Sequence, residues 1–164
     1  MENTLRRFAT PLYLVAALFF FTPVLDVFLN VWPWRPALEE WRYGAVGAAA
    51  NYLVSMVFGC LLASVTAAAW GHRRSLRVLA VAGWLVAALL AALTLEFILD
   101  VMQLKARVPQ EDQPGFELGA FKAVVKYVAS IVCTVVVGVV GWKSAREMPR
   151  PQDDRSDAVL VRGA

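Results

Sequence analysis

Four side chains in this sequence could titrate or hold an ion inside otherwise apolar runs: Asp26, Asn51, Glu96 and Lys126. A charge in hydrocarbon costs several kcal/mol, so each needs a partner or a task. Each lies about six residues from one end of its apolar run, roughly 9 Å below the boundary at the helical rise. Opposite charges at one depth can offset each other, so Lys126 is expected to pair with Glu96, Asp26 or both. One chemistry that follows is a substrate or proton site open to the outer side, with Asp26 or Glu96 titrating and Lys126 as counter-ion. The other is an ion pair plus an amide that fixes helix register. Paired charges near a boundary can snorkel and be purely architectural, and that reading takes precedence.

The spacing around these residues is helical. Thr22, Asp26 and Asn30 are four apart, as are Lys122, Lys126 and Ser130, and Glu96 and Asp100. Residues four apart share a helix face. Asn51, Ser55, Gly59, Ala63 and Ala67 continue the pattern in small residues. Gly83, Ala87 and Ala91, and Ser130, Thr134 and Gly138, make similar faces. Small faces let helices approach closely in lipid, so Ser55, Gly59, Ala63, Gly83, Ala87 and Gly138 are the expected packing positions.

The elements that must carry these residues are membrane helices. The run 78–99, VLAVAGWLVAALLAALTLEFIL, holds a single charge and matches a hydrocarbon core roughly 30 Å thick. In lipid the backbone must satisfy its own hydrogen bonds, so the run is a helix. Hydrophobic residues make up 59% of the 164 residues and gather in four blocks. The expectation is an all-α membrane protein, an antiparallel up-down-up-down bundle of four transmembrane helices at about 11–31, 45–70, 77–102 and 120–142. Residues 1–147 then form one domain, and 148–164 a disordered cytoplasmic tail. Pro23 is expected to kink the first helix. That run is too long for a signal-peptide core, and no small-x-small cleavage site follows it.

The connectors at 32–44 and 105–119 carry few basic residues, while Arg6, Arg7, Arg73, Arg74, Arg77, Lys143 and Arg146 flank the opposite ends. The positive-inside rule then puts both termini in the cytoplasm. Trp32, Trp34, Trp41 and Tyr43 are the expected aromatics of the outer boundary, with Trp70 and Trp142 at the inner one. The net charge of +3 is explained by these flanking residues, and no nucleic-acid partner is expected. Cys60 and Cys133 sit mid-run without CxxC spacing and read as packing residues, and one histidine, His72, cannot supply two haem ligands. No metal and no cofactor are expected.

The strings WPWRP (32–36) and WRYGAVG (41–47) resemble a pattern in uncharacterised small bacterial inner-membrane proteins with four helices. The resemblance covers the first two helices and their connector. It implies a bacterial, multi-pass inner-membrane protein and no particular activity. Small multidrug transporters have the same number of helices but carry a mid-helix glutamate in the first, where this chain has Asp26 nearer the outer end. No nucleophile–base pair or phosphate loop is present, so an enzyme is not expected. The expected function is a structural or accessory subunit packed against a larger membrane complex, with other membrane subunits or a second copy as partners besides the lipid. The alternative is a small-solute or proton-coupled carrier using the polar cluster in the outer leaflet.

Overall fold

A computed structural model describes residues 2–148, with side chains from residue 8 onward. The expected tail after Met148, and the side chains of Arg6 and Arg7, lie outside the described residues. Among the described residues the fold is wholly helical: α1 (Glu2–Val31), α2 (Glu39–Ala49), α3 (Leu53–Ala69), α4 (Arg73–Lys105) and α5 (Gln113–Glu147). Three helices are long and apolar enough to cross a membrane, at Phe8–Val31, Arg73–Lys105 and Gln113–Glu147. The pair α2 and α3, bent by 46° at its break, gives a fourth if counted as one span.

The helix expected over 45–70 is thus two helices, and it begins earlier, at Glu39. Pro33 and Pro36 do break the chain, but Glu39 and Glu40 follow in the first turn of α2, where negative charge favours a helix start. The break at residues 50–52 has tertiary causes. The Tyr127 hydroxyl donates to the Val46 carbonyl at 3.0 Å, and Lys126 Nζ donates to Asn51 Oδ1 at 2.7 Å. The backbone tightens there into three-residue hydrogen bonds, Asn51 N–H to the Ala48 carbonyl and Tyr52 N–H to the Ala49 carbonyl. The loop expected over 105–119 is also shorter. Pro114 lies in the first turn of α5, where no N–H is needed, so the helix starts at Gln113.

Contact is most extensive between α4 and α5. A Cβ added at Gly83 would lie 3.3 Å from the Thr134 carbonyl oxygen, and one at Gly138 would lie 3.3 Å from that of Ala80. This near-backbone contact separates two buried clusters. One gathers Ala50, Leu53, Leu90, Phe97, Ala120, Ala123 and Tyr127, the other Ala67, Leu76 and Ala145. Helix α3 touches both α4 and α5, and α1 packs along α3. At Gly59 an added Cβ would meet the Ala16 carbonyl oxygen at 2.8 Å and Phe19 Cβ at 3.2 Å, and Ser55 Oγ donates to the Phe19 carbonyl at 3.2 Å. A groove of about 340 Å³, with Ala63 and Cys60 in its wall, separates α1 from α4. Most other large side chains of α1, including Leu14, Phe21, Leu25 and Leu29, are exposed, as a lipid-facing helix requires.

Helices α4 and α5 have 33 and 35 residues, roughly 50 Å at the helical rise, longer than a hydrocarbon core. Helices of this length extend past the thickness of such a core. At one end Lys105 pairs with Glu117 and Arg107 with Glu39. Trp34, Trp41, Phe28 and Trp32 form a chain of ring contacts at the end of α1 nearest α2, and Trp41 Nε1 donates to the Val31 carbonyl. At the opposite end Trp142 packs on Trp84 and under the Arg146 guanidinium, while Gly71 turns with a positive φ of 68° before α4. Trp70 caps α3 beside that turn. His72 Nδ1 lies 3.0 Å from the Tyr13 hydroxyl.

Candidate functional site

The four polar residues fall into two groups. Asn51 and Lys126 meet across the helix break, with the Lys126 ammonium donating to the Asn51 side-chain oxygen at 2.7 Å. Asp26 shares a cavity with Asn51, whereas Glu96 stands elsewhere, on α4 beside α2. The expected pairing of Lys126 with Glu96 or Asp26 is corrected: among the described residues neither carboxylate forms an ion pair with Lys126. Equal depth was the ground for that expectation, and depth leaves the direction around each helix open. Lys126 reaches the break between α2 and α3, and its neighbour Tyr127 is buried beside it with its hydroxyl on Val46 of α2.

Glu96 belongs to a cluster with two residues that sequence reasoning did not select. Arg42 donates to Asp100 through two bonds, Nε to Oδ2 at 3.0 Å and Nη2 to Oδ1 at 2.7 Å. Its Nη1 donates to the Pro36 carbonyl at 3.0 Å, and Glu96 lies 3.6 Å from Nε. Bidentate pairing of this kind fixes geometry as well as charge. The Asp100 side chain is 3% exposed and that of Glu96 is 53% exposed, so Asp100 is the partner Arg42 cannot lose. Tyr43, one residue on, stacks on Phe97 at 5.3 Å and on Phe116 at 4.9 Å, closing the cluster over α4 and α5. The signal in the sequence was the i, i+4 carboxylate pair Glu96 and Asp100, which demanded a cation.

The second group lines a cavity of about 350 Å³ between α1 and the α2–α3 break. Leu18, Phe19 and Pro23 form an apolar wall, and Thr22, Asp26, Asn51, Tyr52 and Ser55 supply polar groups. Asn30 donates to the Asp26 backbone carbonyl at 2.8 Å and lies 3.4 Å from the Tyr52 hydroxyl. The Asp26 carboxylate itself is half-buried and pairs with no Lys or Arg of the described residues.

The other hydroxyls on the packing faces turn inward on their own helices. Thr94, Ser130 and Thr134 each donate to a carbonyl one turn back. Such bonds satisfy the group without linking helices. The Tyr127 hydroxyl does link helices, so Tyr127→Phe should lower stability by about 1 kcal/mol, roughly 2–4 °C in Tm for a chain of this size. An unchanged melting temperature in lipid would remove this bond as a cause of the break.

Cys60 and Cys133 are free thiols, Cys60 in the α1–α4 groove and Cys133 exposed. Among the described residues no cluster of three or more His, Cys, Asp or Glu could hold a metal ion. Comparison of the chain with protein-family models, with curated proteins and with solved structures finds no match.

Proposed function

We propose that this chain is a four-span integral membrane protein, an antiparallel up-down-up-down bundle, that serves as an accessory subunit packed against a larger membrane complex. What supports an architectural role is how the charges near helix ends are used: Arg42 with Asp100 and Glu96, and Lys126 with Asn51, satisfy one another within the chain. Groups already paired hold helices in register and leave little charge for transport chemistry. Extraction from the native membrane in a mild detergent, followed by size separation, should find the chain in a larger particle than the purified chain forms alone. Identical migration of the two would count against this reading.

The proposed membrane is the bacterial cytoplasmic one, with both termini inside, supported by the WPWRP connector and the Lys/Arg asymmetry. A cysteine placed at Glu111, in the loop between α4 and α5, should react with an impermeant reagent from outside, and one at Ser75 should not. The opposite pattern would invert the orientation.

One observation favours a second reading, that of a small-solute or proton-coupled carrier. Asp26 faces a cavity at a broken span and has no partner among the described basic residues. Uptake into proteoliposomes that depends on a pH gradient and is lost in Asp26→Asn would establish it, and uptake insensitive to that change would not.

A further inference from the structure

We infer that the cavity beside Asp26 is a binding site for a small organic ammonium ion carrying an apolar body. The inference deepens the carrier reading by naming the ligand class, and binding alone tests it, so its failure and a failure of transport are separate results.

The cavity lining combines acidic and apolar surface. Helix α1 contributes Asp26 and Thr22 together with Leu18, Phe19 and Pro23. A carboxylate at membrane depth is costly when bare, and a cation is what offsets it. No basic residue of the described chain supplies that cation. The Lys126 ammonium is committed to Asn51 Oδ1 and is not among the residues lining the cavity. The lining also bears on the class of cation. A bare metal ion favours several anionic or carbonyl oxygens, and this lining offers one carboxylate among neutral hydroxyls and an amide that already accepts from Lys126. One carboxylate and a neutral remainder suit a single ammonium group, whose hydrogens bond oxygen and whose carbon body covers Leu18, Phe19 and Pro23. A volume of about 350 Å³ suits a one-ring or short-chain amine.

The test uses the full chain in lipid nanodiscs with phenethylamine as probe and 2-phenylethanol as its neutral match. Phenethylamine should bind saturably, the alcohol should not compete, and Asp26→Asn should weaken binding about tenfold or more, while Asp26→Glu retains it. In the unaltered protein, N,N-dimethylphenethylamine, a tertiary amine that an activated carboxyl cannot acylate to an amide, should also protect the Asp26 carboxyl from dicyclohexylcarbodiimide, read by mass spectrometry of the peptide. That measurement decides the matter if Asp26→Asn fails to fold. Equal competition by the alcohol, undiminished binding to folded Asp26→Asn, or carbodiimide labelling of Asp26 unaffected by the amine would each overturn the site.

Discussion

Gly59→Leu should separate α1 from the rest of the protein. Even a Cβ at Gly59 would sit 2.8 Å from the Ala16 carbonyl oxygen and 3.1 Å from the Phe20 nitrogen, and backbone cannot turn aside as a side chain can. Helix α1 has its main contacts with α3 and touches α2 less, so a wedge at this point has nothing behind it to resist. In lipid no hydrophobic force restores the contact, because the tails are as apolar as the helix. Overpacking costs about 1–3 kcal/mol even where neighbours adjust, so Tm should fall by roughly 2–12 °C. The Ser55 bond to Phe19 should be lost with it. Gly44→Leu is the control, since nothing lies within 4 Å of a Cβ there. Equal melting curves for Gly59→Leu and the unaltered protein would mean that α1 does not pack on this face in the membrane.

This prediction was readable from the sequence because it needs only composition and period. Runs of apolar residues show where spans lie, and Ser55, Gly59 and Ala63 at four-residue spacing show which face can approach another helix. The helix break was hidden for the opposite reason. Residues 45–70 carry no charge and no proline, and the lone amide Asn51 does not by itself mark a break; the bonds made there come from α5, through Tyr127 and Lys126. A contact between residues some 75 or 81 apart leaves no local mark. Proline marks a boundary without saying on which side the helix lies. Pro114 stands in the first turn of α5, and the connector expected over 32–44 takes in the start of α2 at Glu39. Arg42 was therefore counted as a connector charge, although it lies on α2 and faces Asp100.

Arg42→Met should destabilise the fold more than any substitution at Lys126, Glu96 or Asn51. The reason lies with the partner left behind. Asp100 is almost fully buried and receives two hydrogen bonds from Arg42, so removing the guanidinium strands a carboxylate that water barely reaches. An uncompensated buried charge is costlier than the pair is stabilising. Glu96, half in solvent and 3.6 Å from the guanidinium, has water as a substitute, so Glu96→Gln should shift Tm little. Adding Asp100→Asn to Arg42→Met should recover much of the loss, since the neutral amide has no charge to strand. The Pro36 carbonyl would still lose its donor, so recovery should stop short of the unaltered protein. The measurement is a double-mutant cycle on Tm in lipid nanodiscs, with Lys126→Met and Asn51→Leu as a parallel cycle. Strict additivity of Arg42→Met and Asp100→Asn would mean that the two groups do not meet. A cycle showing coupling of Lys126 to Glu96 in place of Asn51 would restore the pairing that depth alone suggested and overturn the arrangement around the break.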